Sequence, residues 1–323
     1  MMEKQQLDEI LQVMTGERTL FHYVRDGYAL QLLQDYIGEA MSISELRRSP
    51  YAHLLEKPLV KKVLAKVGNG VLTAEQLESA KWDSGDAPLN FVLTLDAWGS
   101  DQYSERTWNQ MSRCGYHLVL QLNFANDHQQ RYKQLIKADE HAAFSSWGHP
   151  VHTEGRYETL AWARIDLDLE AGVALIEEIQ SDWVREVKDD WQQACYEQAD
   201  FDTYLGKVLA PYAKVWDEAV LTAAIQLIRR ELGIADVFYH TFETGNRLKG
   251  IEYDFPPRSL YTKLPKRFGF RQTDEMPVFL REERHIKRLV KRIGTQPKKK
   301  VKKAKLKAET LRELSWFKLP QPI

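Results

Sequence analysis

Residues 175–183 read Leu-Ile-Glu-Glu-Ile-Gln-Ser-Asp-Trp, an apolar strand pattern that runs straight into two carboxylates, an amide, a hydroxyl and a third carboxylate. Acids and amides are depleted from strand interiors because they pack poorly on a half-buried pleated surface. A carboxylate taken out of water needs a partner or a raised pKa. The fold must therefore bury this strand and still provide for a polar cluster at its carboxyl end, which makes that end a site candidate.

The neighbouring segments fit that demand. Thr159 to Leu169 and Val173 to Ser181 read as strands, and Glu170-Ala171-Gly172 between them is a hairpin signal. In the first, Ala161, Ala163, Ile165, Leu167 and Leu169 share one face and Trp162, Arg164, Asp166 and Asp168 the other, so one buried and one polar side are expected. Farther on, Trp216, Ala219, Ala223, Leu227 and Ile228 repeat at helical spacing within Val215 to Leu232, and Gly233 supplies a left-handed stop before a strand from Ala235 to Thr241. Strand, helical crossover and strand form a βαβ unit with parallel strands, so Gln180 and Asp182 open near Thr241 and Glu243.

Three segments organise the 323 residues. Residues 1–82 read as a helical annex. Thr19 to Met41 carries the stripe of one amphipathic helix, Pro58 begins another that stops at Gly68-Asn69-Gly70, and Thr73 with Gln76 forms a capping box. Residues 83–283, after the breaker cluster from Asp83 to Pro88, form a mixed α/β core whose first strands are Phe91 to Leu95 and His117 to Leu122. Residues 284–323 form a basic arm with an apolar end. From Arg284 to Lys307 there are twelve Lys or Arg and no acid, which leaves thirteen excess negative charges on the rest of a chain whose net charge is -1. Lys298, Lys299, Lys300, Lys302, Lys303, Lys305 and Lys307 read either as a solvated linker or as an electrostatic arm for nucleic acid or a ribonucleoprotein. Beyond them Leu311, Leu314, Trp316, Phe317 and Leu319 are expected to dock on the fold.

Two cysteines, Cys114 and Cys195, argue against a disulfide scaffold or a cysteine zinc cage and for a reducing compartment. With no secretory pattern at Met1 to Gln6 and no 18-residue apolar window, a cytoplasmic location without membrane attachment is expected. His149-Pro150-Val151-His152 offers two imidazoles, but the proline argues against a helical pair, and no metal centre is expected. His240, inside an apolar strand, reads as a core histidine.

The order of hairpin, Ile-Glu-Glu-Ile-Gln-Ser-Asp-Trp, crossover helix and strand, followed by Tyr261-x-x-Leu264-x-x-x-Phe268-Gly269-Phe270, resembles the second half of a GNAT-type N-acetyltransferase. The Glu-x-Gln-Ser-Asp-Trp strand end also resembles uncharacterised phage and mobile-element proteins. The resemblance implies an α/β fold with a GNAT-like mixed sheet and small-group transfer with acetyl-CoA as donor. In it Glu178, Asp182, Glu243 and Tyr261 would be catalytic, and Gln180, Ser181, Thr241, Arg247 and Arg258 would hold substrate. One departure stands out. The family places a glycine-rich pyrophosphate loop after this strand, whereas 181–210 contains Gly206 as its only glycine. Strand periodicity sends Glu177 and Glu178 to opposite faces and puts Glu178 with Gln180. The competing reading is a buried polar ladder in which these acids pair Arg164, Arg258 or Arg247, and a non-catalytic binding protein on the same fold.

Overall fold

β7 (Val173–Gln180) is apolar on both flanks of its backbone because both faces of the sheet are covered where it runs. The structure, a computed structural model, describes residues 2–14, 19–81, 85, 87–136, 144–146, 148–151, 157–188, 197–295 and 314–322. The lysines from Lys298 to Lys307, together with Trp191, Tyr196, His141, His152 and Glu154, lie outside the described residues.

The main sheet has eight strands in the order β1-β4-β5-β6-β7-β8-β10-β9. They are β1 (Thr19–Tyr23), β4 (Leu89–Ser100), β5 (Gly115–Phe124), β6 (Thr159–Asp168), β7, β8 (Asp236–His240), β9 (Arg271–Thr273) and β10 (Trp316–Lys318). All neighbours are antiparallel except β7 and β8, which run parallel from Val173 opposite Asp236 to Ile176 opposite Tyr239. The crossover between them carries the expected helix (Trp216–Gln226), continued by a π-helical turn from Leu227 to Glu231. Its small residues Ala219, Ala223 and Ala224 are fully covered, which lets the helix lie close on the sheet. A mixed α/β architecture is thus present, as the periodicities implied.

The helical reading of the N-terminal residues needs correction. Thr19–Tyr23 is not the start of a helix but an edge strand on β4, and the helix occupies Gly27–Ile37. Leu20 and Tyr23 fit the helical spacing while Phe21 and Tyr23 fit that of a strand, and tertiary pairing with β4 decides for the strand. Ala40–Ser42 (β2) and Val71–Thr73 (β3) form a separate two-stranded ribbon. The helix opened by Pro58 ends at Leu64, before the Gly68-Asn69-Gly70 turn, and the Thr73/Gln76 capping box is formed on both sides. One apolar cluster runs from Met2 through Leu77 and the sheet to Leu319. Tyr28 stacks on Phe268 at 4.3 Å, and the Tyr51 hydroxyl donates to the Pro320 carbonyl, so the first eighty residues pack directly on the sheet and the C-terminal segment.

The polar face of β6 is not solvated: it is buried as well. Trp162 packs with Val119 and Val151 at one end, while Leu175, Phe238, Phe279, Ile286 and Trp316 form an apolar cluster at the other. Arg164 and Asp166 are enclosed between the two. The apolar C-terminal end docks as expected and does more, since Trp316–Lys318 inserts as β10 between β8 and β9. Trp316 is fully buried. Trp316→Ala should therefore cost about 3–5 kcal/mol of unfolding free energy in a urea titration, far more than an exposed tail would.

Candidate functional site: a cleft above a buried ion network

The parallel pairing of β7 and β8 stops at Ile176 and Tyr239, and β7 bulges at the next residue: Arg164 faces Glu178, but Ile165 faces Ile176. The extra residue, Glu177, shifts the side-chain phase by one. Ala174 and Ile176 point into the large core, and so does Ile179, which a regular strand would turn the other way. Glu177 and Glu178 consequently both turn towards the second face, contrary to the expectation that at most one could.

Both carboxylates are buried and paired. Glu178 Oε2 accepts from Arg164 Nη2 at 2.7 Å and from Lys249 Nζ at 3.1 Å. Glu177 accepts from the Ser112 amide and hydroxyl and lies 3.3 Å from His240 Nε2. Burial pushes the Glu178 carboxyl up, but the Lys249 and Arg164 charges outweigh burial and hold it below the usual carboxylate range. Glu177 is likewise held low, by His240 first, against the same penalty. Lys249 reaches this position from the Phe242–Lys249 helix, which Thr241 caps through its side-chain oxygen. Gly245 permits the helix's approach, since a Cβ there would meet the His240 side chain at 3.1 Å. The ammonium also meets the Glu177 carbonyl at 3.4 Å, so it fills the gap that opens where β7 leaves β8.

Behind this pair, Arg113 grips Asp166 with two hydrogen bonds of 2.7 and 2.8 Å, and His117 Nε2 lies 3.6 Å from the same carboxylate. His117, Asp166 and Glu177 are the one group of metal-type donors found among the described residues. Asp166, Glu177 and Glu178 already face Arg113, His240, Arg164 and Lys249. A divalent cation would crowd further positive charge onto carboxylates that already have cationic partners, so the residues present do not fit one.

Beside the carboxyl end of β7 lies a cleft of about 920 Å³. Glu178, Gln180 and Ser181 line its inner wall, Lys188 and Lys214 add positive charge, and Phe255 and Pro256 form part of the rim. Gln180 donates to Asp182 Oδ1, which His149 Nδ1 and Arg185 each approach at 2.9 Å. Burial raises the Asp182 carboxyl, and the His149 hydrogen bond and charge together with Gln180 and Arg185 bring it below its ordinary value. Ser181 caps the short Asp182–Glu186 helix and donates to the Leu160 carbonyl. Tyr261 is buried against Lys249, its ring centroid 5.7 Å from the ammonium, and burial followed by the Glu178 charge keeps its phenol protonated far above neutral pH.

The sequence candidates thus divide. Glu178, Gln180 and Ser181 share the cleft, with Asp182 tied to it through Gln180. Glu243 instead pairs with Arg258, which lies over Phe242, and Arg247 is exposed on the same helix. Thr241 serves as a cap and donates to the Ser315 carbonyl. Ser259, in the Arg258–Tyr261 turn, also lines the cleft. Lys249, Ser112 and Arg113 were not legible as partners, because a lone lysine in a helix and loop polar residues carry no periodic signal. His240 is a core histidine, as its strand context implied, bonded to the Ser112 hydroxyl at 2.8 Å. Comparison with family models, curated proteins and solved structures gave no match.

Replacing Lys249 with Met should leave Glu178 half-paired in the interior and destabilise the fold by about 3–5 kcal/mol. Adding Glu178→Gln should recover part of that loss in a double-mutant cycle. Depressed carboxyls contribute stability that is complete above about pH 4.3 and is lost as pH falls through their folded values. Glu178→Gln should accordingly flatten the acid limb of stability below about pH 4.3, measured by urea midpoints across pH.

Proposed function

We propose that this chain is a GNAT-like group-transfer protein whose cleft, at the carboxyl end of β7, takes an acyl donor such as acetyl-CoA. The observation that carries the reading is the combination of a single parallel pair, a bulge at the point of parting and an open cleft at the carboxyl end of β7. Hairpin, crossover and closing strands occur in the order that the resemblance to the second half of the GNAT fold requires. Lys188 and Lys214 on the cleft wall offer charge to a phosphate-bearing donor, in place of the absent glycine loop.

In this reading Gln180 and Ser181 contact the donor, and Glu178, held ionised, is the general base toward an ammonium or hydroxyl acceptor. Tyr261, held protonated, is the acid for the departing thiolate. Asp182 positions Gln180. Glu243 and Arg258 bind each other, and with Arg247 and Thr241 they take no part in the cleft. The basic segment from Lys298 to Lys307 would bring a nucleic acid or ribonucleoprotein close to the cleft.

One observation favours a second reading, a binding protein without chemistry. The Glu178 carboxylate already receives two cationic donors, which lowers its basicity.

Calorimetry and thermal shift with acetyl-CoA separate the two. Saturation at about a hundred times Kd should stabilise the native state by roughly 2.7 kcal/mol, and Lys188→Glu with Lys214→Glu should weaken binding about tenfold or more. No shift at millimolar acetyl-CoA would remove the donor reading, and binding without turnover of any amine acceptor would favour the second.

A further inference from the structure

The exposed aromatic side chains gather in one region. Among the described residues Tyr103, Trp108, Tyr253 and Phe255 face solvent, Trp108 at 87% and Tyr253 at 80% exposure. All four sit on two loops, 101–114 between β4 and β5 and 250–257 after the Phe242–Lys249 helix. Large rings are ordinarily covered, and an apolar group kept in water on ordered loops marks a binding face.

These loops are fastened to each other. Arg106 Nη1 donates to the Leu248 carbonyl at 2.6 Å and to the Met111 carbonyl at 2.7 Å. Gly250, at φ +74°, lies so near Thr107 that a Cβ would meet its Cγ2 at 2.8 Å. The first loop is also held from below: Arg164, the partner of Glu178, donates to the carbonyls of Asn109 and Gln110 at 2.9 and 2.6 Å. The rings are therefore presented on a fixed support.

Positive charge continues from one end of this support. Tyr103 meets His285 edge-on at 6.2 Å, and His285 opens the Arg284–Thr295 helix, whose Ile286 is buried while Arg284, Lys287, Arg288 and Lys291 face outward. A protein-binding patch would be depleted of lysine, whereas rings beside a basic helix suit bases joined by phosphates. In a duplex the base faces are already stacked, so only unpaired bases can use the rings.

We propose that the face built by loops 101–114 and 250–257 binds single-stranded nucleic acid, its bases stacked on Trp108 and Tyr253 and its backbone led along the Arg284–Thr295 helix. The proposal does not depend on what the cleft binds.

Fluorescence anisotropy of labelled single-stranded RNA and DNA of about twelve nucleotides tests it, with the full-length protein and a Trp108→Ala/Tyr253→Ala variant over a range of salt. Single-strand affinity should fall about tenfold or more for each ring removed, with the salt slope kept because phosphate contacts remain. Duplex of the same sequence should bind the two proteins alike. Both side chains are exposed, so the melting temperature should hold, and Trp108→Phe/Tyr253→Phe should restore most of the affinity. Unchanged single-strand affinity in the alanine variant overturns the proposal, as does an equal loss for duplex. Lost acetyl-CoA binding with intact single-strand binding would also overturn it and assign the rings to the donor's adenine. Absence of acetyl-CoA binding in the unaltered protein bears only on the cleft.

Discussion

Glu178 is the residue on which the rest of the centre is balanced. A carboxylate at 4% exposure is tolerable only because Arg164 and Lys249 reach it from opposite sides, one from the adjacent strand and one from the helix that follows β8. The same Arg164 fixes the loop ahead of β5, and the same Lys249 fills the gap between the parting strands. Loss of any member leaves a buried charge unmatched, so strand register, loop position and helix docking are coupled through one set of ion pairs. Such a set adds little net stability compared with an apolar filling, but it makes a single arrangement far better than its neighbours.

The bulge at Glu177 is what permits this. In a regular β7 the side chains of residues 173, 175, 177 and 179 would share a face, which would place Ile179 among charges and Glu178 in the large apolar core. One inserted residue returns Ile179 to that core and delivers two adjacent acids to the polar face. The cost is a broken ladder at a point where β7 has already parted from β8. The freed Glu177 carbonyl finds Lys249.

Much of the central fold was readable because it is written in periodicity. The hairpin and the crossover helix follow from spacing over eight or more residues, where a period is unambiguous, and the parallel pair follows from the crossover between its strands. Short elements were not. β1 has five residues whose apolar positions satisfy two periods, and β10 has three that read only as an apolar end. At the site, the strand end was legible from its misplaced acids, and Arg164 from sharing the polar face of β6. Glu243 was drawn towards the wrong neighbours, because strand direction alone placed it near Gln180 while the turn into the next helix carries it to Arg258. A bulge leaves no mark in a two-residue pattern except the acid pair itself.

The C-terminal strand is tied to the ion network as well. Trp316 is buried and anchored between β8 and β9. Ser315 meanwhile bonds both to Thr241 and to Thr244, the cap and first turn of the helix that carries Lys249. The path from the C-terminal strand to the ion network is therefore only a few bonds long: β10 seats Ser315, Ser315 secures the helix start, and the helix places Lys249 on Glu178.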